Sequence, residues 1–242
     1  MSKVAIAIST YNRKESFFRC CHNMYLNFPD NASIYIVDAG SDEQYAKADY
    51  IFPERTNISE VKNKCLQLCY ESGADHIFLF DDDAWPIKQG WELPYITSNL
   101  HHLCATFYPS EKIHEYVTPE FKVNAKLEDL ITVNRHEVKE HRLANGYCLY
   151  FSRKCIDTVG GFDTNYNNKY EHIDLSRRIF NAGLTRHMFQ DVVGSEELIY
   201  CLDKDNAIQR SFTNREMQDS LKSGYEYFRS QENSSRFIEF RT

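Results

Sequence analysis

With 242 residues, 42% hydrophobic and 26% charged, the chain has the composition of a globular protein large enough to bury a core, and it is not a disordered segment. Its 35 acidic residues outnumber 28 basic ones for a net charge of −7, so its surface as a whole does not attract nucleic acid or anionic membrane. No stretch reaches the roughly 18 apolar residues of a membrane helix.

The first apolar run, Val4 to Ile8, meets Ser9-Thr10-Tyr11-Asn12. It is too short for a secretory leader and reads as a buried strand, which makes the cytoplasm the expected location. The eight cysteines contain no CxxC pair, and reduced thiols serving as small hydrophobes are expected. Lys14 to Phe28 has helical spacing through Phe17, Phe18, Cys21, Met24 and Tyr25, and Pro29-Asp30-Asn31 breaks it. Ile34 to Val37 forms a second strand that runs into Asp38, and Tyr50 to Phe52 a short third. Asn57 followed by Glu60 has the pattern of a capping box; Ile58, Val61, Cys65, Leu68 and Cys69 then give a helix face, stopped by Gly73. His76 to Phe80 is a fourth strand leading straight into Asp81-Asp82-Asp83.

Strands alternating with helices predict an α/β fold, a mostly parallel sheet flanked by helices. Ligands of such sheets sit beyond the carboxyl ends of the strands. Those ends carry Ser9 to Asn12, Asp38 and Asp81 to Asp83, so three polar clusters are expected on one rim.

Residues 101–145 are less regular, and their histidines (His101, His102, His114, His136, His141) have no spacing that compels metal binding; solvated loop histidines are expected. Tyr147 to Phe151 looks like a strand returning to the sheet, Gly160-Gly161-Phe162-Asp163 a tight loop, and Tyr170 to Ala182 a helix closed by Gly183. The charge-balanced segment 203–242 contains an aromatic group at Tyr225, Tyr227 and Phe228. No repeat or linker divides the chain, which predicts a single domain, 1–202, with a C-terminal helical extension, 203–242.

Three successive carboxylates at the mouth of a buried strand repel one another, and a hard divalent cation shared with phosphate oxygens relieves that repulsion. A solvated acidic turn or a helix cap uses the same residues. Asp38 fits a turn cap or a hydrogen-bond acceptor for a base or ribose; Tyr11 fits a core ring or a stacking surface; Lys62 fits a solvent-facing charge or a phosphate ligand. On the later helix, an acidic first turn with an Asp174–Arg178 pair accounts for most of the charges, but less well for Glu171-His172 just after a glycine loop.

Taken in order, Ala-Ile-Ser-Thr-Tyr-Asn-Arg ending at Arg13, Ile-Val-Asp-Ala-Gly-Ser-Asp ending at Asp42, Asn57 with Val61-Lys62-Asn63, Phe-Asp-Asp-Asp-Ala-Trp-Pro ending at Pro86, and Val-Gly-Gly-Phe-Asp through Tyr-Glu-His-Ile-Asp-Leu-Ser-Arg-Arg ending at Arg178 resemble the family 2 glycosyltransferases of the GT-A fold. The resemblance covers Val4 to about Gly183. It implies a Rossmann-like GT-A domain whose residues 1–100 bind the nucleotide and 101–202 the acceptor and catalytic groups. It also implies a nucleotide-sugar donor, most often a UDP-sugar, and a Mn²⁺ or Mg²⁺ ion on a DxD pair formed by Asp81 and Asp83. By the same resemblance Ser9, Tyr11 and Asp38 line the base and ribose pocket, Asp82 lies near the ribose or donor sugar, Arg13 and Lys62 lie near the diphosphate, and Gly161 and Asp163 border donor sugar and acceptor.

Inverting members usually place a Glu-Asp pair at the helix start, the Asp being the base; here the pair is Glu171-His172. An imidazole, with an ordinary pKa of about 6.5, accepts a proton at neutral pH, so His172 is the expected base and Glu171 the alternative. Many GT-A enzymes also carry a metal-binding His after the strand that ends here at Val192-Val193, but this chain has Gly194-Ser195-Glu196, and His187 is a poor positional substitute.

Two other readings compete. A sugar-1-phosphate nucleotidyltransferase would share the sheet and acidic site but needs a Gly-rich loop after the first strand, where Ser9 to Asn12 has no glycine. A nucleotide-sugar-binding module without catalysis would bind UDP with metal and transfer nothing. The acceptor hydroxyl is open: a glycan, a lipid-linked sugar, a protein, or modified DNA. The last is disfavoured by the balanced charge between Pro109 and Arg142.

Overall fold

The side chains of Val4–Thr10 (β1) are all buried, and their alternation assigns them to two cores. Val4, Ile6 and Ile8 face one cluster with Phe17, Cys20 and Met24 of Lys14–Leu26 (α1), while Ala5 and Ala7 face another with Val61, Cys65, Leu66 and Cys69 of Ile58–Glu71 (α2). A strand with a helix packed on each face has a continuous apolar run, as this one does. The computed structural model describes residues 2–45, 47–106, 130–133, 136–141, 145–166, 169–205 and 214–241.

In chain order the remaining elements are Ala32–Asp38 (β2), Tyr50–Ile51 (β3), His76–Asp81 (β4), Ala84–Pro86 (β5), Leu93–Thr97 (α3), His102–Cys104 (β6), Leu130–Val133 (β7), His136–His141 (β8), Cys148–Ser152 (β9), Arg153–Val159 (α4), Glu171–Asn181 (α5), Phe189–Val192 (β10), Ile199–Cys201 (β11) and Asn214–Ser230 (α6). The main sheet has the order β3-β2-β1-β4-β9-β6. Its first four strands are parallel, and β9 is antiparallel to both β4 and β6. β10, β8 and β7 form a small antiparallel sheet, and β11 pairs with β5. The expected sheet, mostly parallel with flanking helices, is therefore present, with β9 as its one reversed strand.

Register decides what the rim contains. Thr10 lies beside Asp38 and Ser9 beside Asp81, so three strands end at one level.

Boundaries differ from the sequence reading in small ways. The first helix stops at Leu26 and not Phe28, with Asn27 as its cap. Asn57 does cap α2 through the Glu60 backbone N–H, but the Glu60 carboxylate meets the Thr56 hydroxyl instead of closing a box on Asn57. The largest correction concerns His102, expected as a solvated loop residue. It sits in β6, buried, with Nδ1 2.8 Å from the Tyr150 carbonyl and Nε2 2.8 Å from Ser176 Oγ. Burial pushes its pKa down to about 4. His136 and His141 begin and end β8, and His114 lies outside the described residues.

The segment 203–242 contributes α6 and then returns to the main body. Ile238 bridges to Gly160, and Phe240 is buried with residues of α2, α4 and α5. Seven of the eight cysteines are buried. Among the described residues no helix is long and apolar enough to cross a membrane.

Candidate active site

The rim is built first by a turn. Asn12 has a left-handed backbone (φ 50°), a conformation that asparagine tolerates better than most residues. Asn12 is tied across the rim: its backbone N–H donates to Ser41 Oγ at 3.0 Å, its side chain donates to Asp42 at 2.8 Å, and the Asp42 N–H donates back at 2.9 Å. This reversal brings Arg13, at the start of α1, over the aspartates. Its guanidinium forks onto two of them, 2.6 Å from Asp82 Oδ1 and 2.5 Å from Asp83 Oδ2. Thr10 donates to Asp82 at 2.6 Å, and Ser9 donates to Asp81 at 3.3 Å.

Burial raises the Asp82 pKa to about 7, against the opposing pull of Arg13, and moves Asp83 in the same direction. For Arg13 burial opposes the charge, but Asp82, Asp83 and Asp81 outweigh it and keep the guanidinium protonated. Asp82, expected near the ribose or donor sugar, is enclosed between Thr10 and Arg13. Asp81 is the most accessible of the three, its side chain 24% exposed against 10% for Asp83.

Asp38 is buried and accepts from the backbone N–H groups of Gly40 (3.0 Å) and Ser41 (2.7 Å), so it caps the loop that carries the Asn12 partners. Gly40 is required there: at φ 88° a Cβ would lie 2.3 Å from the Glu54 backbone. Tyr11 is half-buried beside this loop, with the Arg55 guanidinium 5.2 Å from its ring centre.

Lys62 joins the rim to α5. Its Nζ lies 3.8 Å from Asp81 Oδ1, 3.1 Å from Glu171 Oε1 and 3.2 Å from the Gly146 carbonyl. Burial works against its charge, yet Asp81 and Glu171 raise its pKa above the ordinary lysine value. Burial equally opposes ionisation of Glu171, but Lys62 and His172 prevail and hold its carboxyl well below the usual range. The same Glu171 oxygen lies 3.0 Å from His172 Nδ1. A carboxylate only accepts, so this contact selects the Nδ1–H tautomer and leaves the lone pair of a neutral ring on Nε2. Gly146 makes the approach possible, since a Cβ there would meet His172 Nδ1 at 3.0 Å and Lys62 Nζ at 3.2 Å.

The structure thus brings together Ser9, Arg13, Lys62, Asp81, Asp82, Asp83, Glu171 and His172, with Tyr11 and Asp38 on the adjoining loop. It does not bring Gly161 and Asp163 there. Gly161 packs under Phe240 and against Asn63, where a Cβ would fall at 2.5 and 2.3 Å. Asp163 is held by Asn165, Tyr227 and Arg236, which overcome the cost of burial and keep its pKa low. Thr10, expected on the rim but given no role of its own, and Tyr45, not expected there, have hydroxyls 2.8 Å apart; Tyr45 also accepts the Arg13 N–H at 3.1 Å. Thr10 had a signal, the last strand residue before the turn, but Tyr45 in an irregular loop had none.

Oxygen donors on Asp81 and Asp83 suit a hard divalent cation, and the carboxylates that burial strains toward protonation would gain from one. Among the described residues no group of three or more His, Cys, Asp or Glu side chains could hold a metal alone. A cation here fits only with further oxygens from a ligand such as a diphosphate.

No family model matches the chain, and no curated protein does. Solved structures match its fold. GalNAc-T7, solved with UDP, GalNAc and Mn²⁺, aligns over 100% of this chain at TM-score 0.57 and 13% identity. TarS of S. aureus, solved with UDP, aligns over 92% at 0.52 and 10%. The mannosyltransferase PcManGT of Pyrobaculum calidifontis, solved with GDP-Man and Mn²⁺, aligns over 72% at 0.50 and 14%. The matches span 52% of GalNAc-T7 and of PcManGT and 64% of the TarS chain. At such identities the likeness defines the architecture: this is the GT-A fold of glycosyltransferases.

Proposed function

We propose that the chain is a metal-dependent glycosyltransferase that moves a sugar from a nucleotide-sugar, a UDP-sugar in the first instance, to an acceptor hydroxyl with inversion, and that it is of the family 2 type. One observation carries this reading: a continuous line of contacts from Ser9 and Asp81 through Lys62 to Glu171 and His172 joins the acidic rim to a prospective base. The three similar structures, solved with UDP or GDP-Man, support the donor class.

On this reading Tyr11, Asp38 and Ser9 border the base and ribose, and Arg13 and Lys62 supply fixed positive charge beside the diphosphate. Asp81 and Asp83 would hold Mn²⁺ or Mg²⁺, which when bound neutralises charge on the diphosphate. His172 Nε2 takes the proton of the acceptor hydroxyl as that oxygen attacks the anomeric carbon and the nucleoside diphosphate departs. Glu171 orients the imidazole and stabilises its protonated form, as a buried carboxylate does for a catalytic histidine.

Thermal-shift screening of UDP-, GDP- and dTDP-sugars, with and without Mn²⁺, tests the donor; a shift with UDP-sugars that grows with Mn²⁺ is expected. His172→Ala should lower turnover by about 10²–10⁴-fold with UDP affinity unchanged. Unchanged turnover removes His172 from the mechanism, and metal-dependent UDP binding with no transfer or hydrolysis in the wild type replaces the enzyme by a binding module.

A further inference from the structure

Two of the aromatic residues that stand out near the C-terminus, Tyr225 and Phe228 of α6, pack on Tyr170, the residue that precedes Glu171, with ring centres 6.1 and 5.5 Å apart. Tyr170 has φ 71° and ψ −3°, a left-handed conformation that a tyrosine Cβ disfavours. Such a residue persists only where its surroundings over-determine it. Its carbonyl accepts the first hydrogen bond of α5, from the Asp174 N–H at 2.8 Å, so the first turn of that helix is built directly on the Tyr170 peptide.

We propose that α6 is a clamp that fixes Tyr170 in this conformation and thereby sets Glu171 and His172 against Lys62; Tyr170 and Gly224 are positioning residues for the pair. The inference rests on the function proposed above.

Three independent contacts support it. Gly224 lies directly beneath the Tyr170 ring: a Cβ on it would meet Tyr170 Cδ2 at 2.9 Å and the Lys169 carbonyl at 3.1 Å. Two turns into α5, the Arg177 guanidinium lies 3.5 Å from the centre of the Phe228 ring, so α6 grips α5 at a second height. Tyr227, between the two gripping aromatics, donates to Asp163 at 2.9 Å and meets the Tyr166 ring at 5.0 Å, anchoring α6 to the body. Rotation about φ of Tyr170 would swing Glu171 from its 3.1 Å contact with Lys62 and carry His172 with it.

The test compares Gly224→Ala, Tyr170→Gly and Tyr170→Phe in the full chain. Readouts are kcat and KM for UDP-glucose hydrolysis or transfer, UDP affinity, and the tautomer of His172 from ¹⁵N imidazole NMR, its signals assigned by their loss in His172→Ala. Gly224→Ala pushes Tyr170 aside and should lower kcat about tenfold or more, with UDP affinity within twofold. Tyr170→Gly adopts the backbone conformation freely but removes the ring that α6 holds, so it should fall likewise. Tyr170→Phe keeps the grip and should match the wild type. The His172 Nδ1–H tautomer should be intact in the wild type and Tyr170→Phe and mixed in the other two.

Wild-type kcat and tautomer in folded Gly224→Ala, or in Tyr170→Gly should the first variant not fold, overturn the clamp. A wild type that neither binds nor turns over nucleotide-sugars defeats the transferase reading alone, because the tautomer comparison still reports whether α6 sets the pair.

Discussion

Two clusters of aspartate and arginine lie in this molecule, and they are built to opposite specifications. In one, Arg178 and Asp174 are fully buried with an Nε–Oδ2 distance of 2.8 Å. The remaining donors of Arg178 meet the carbonyls of Val159 (2.8 Å) and Gly161 (2.5 Å), and Asp174 also accepts from Tyr166 at 3.0 Å. Neither residue leaves a buried polar atom without a partner among the described residues. In the other, at the rim, Arg13 carries two aspartates whose ionisation burial opposes. Its Nε, and Oε2 of Glu171 nearby, are buried without a hydrogen bond among the described residues. The Arg178–Asp174 pair completes its own bonding, as a girder does, although Arg177, 3.3 Å from the same Asp174, keeps a buried Nε without a hydrogen bond among the described residues. The rim keeps both charge and bonding capacity in reserve, as a prospective site would.

Arg178 carries most of the structural cluster's bonding. Arg178→Met leaves Asp174 buried and without its closest cation, and should cost about 3–5 kcal/mol of stability in denaturant unfolding. Loss of less than half of that would mean that the cluster is no girder.

A charge that burial refuses altogether sharpens the contrast with these paired ones. His102 is held neutral in the fold down to a pKa of about 4, while an unfolded histidine protonates near 6.5. Between those values the unfolded state binds the extra proton, so stability falls as pH drops from about 6.5 to 4, by on the order of 3 kcal/mol. Unfolding of His102→Gln followed across that window should show a flatter slope; an unchanged slope assigns the acid sensitivity elsewhere.

Gly161 probes the girder from its carbonyl side. Gly161→Ala places a Cβ 2.3 Å from Asn63 Oδ1 and 2.5 Å from Phe240 Cβ, and should cost about 1–3 kcal/mol, read as a lower Tm.

The smallest stability change is expected at the rim itself. Asp83→Asn removes a carboxylate that burial disfavours while Arg13 keeps Asp82, so stability should rise or shift by less than about 1 kcal/mol. On the proposed function, Mn²⁺ should no longer raise UDP affinity for this variant in calorimetric titration. Destabilisation on the scale of Arg178→Met would erase the distinction between the clusters.

Much of the architecture of the first hundred residues was legible because it is local. The apolar run of β1, the Asn57 cap and the run from His76 into Asp81 are period and punctuation, and register then forces Ser9, Asp38 and Asp81 to one level. The rim was legible for the same reason, since a parallel sheet can place its strand ends nowhere else. What escaped the sequence depends on distant partners. Gly161-Phe162-Asp163 has the form of a ligand loop, yet its neighbours are Phe240 and Arg236, more than seventy residues onward. His102 carries no local sign of burial, because its partners Tyr150 and Ser176 arrive from β9 and α5. The reversal of β9 is equally silent, since an apolar run does not state its direction.

The bridge between Ile238 and Gly160, with Phe240 buried beside it, has a consequence for biosynthesis. A nascent polypeptide halted before residue 236 would expose the groove over Gly160 and Gly161 and leave two carbonyl-bound arms of Arg178 without their lid. The half bearing Glu171 and His172 therefore completes its packing only once that short strap has docked.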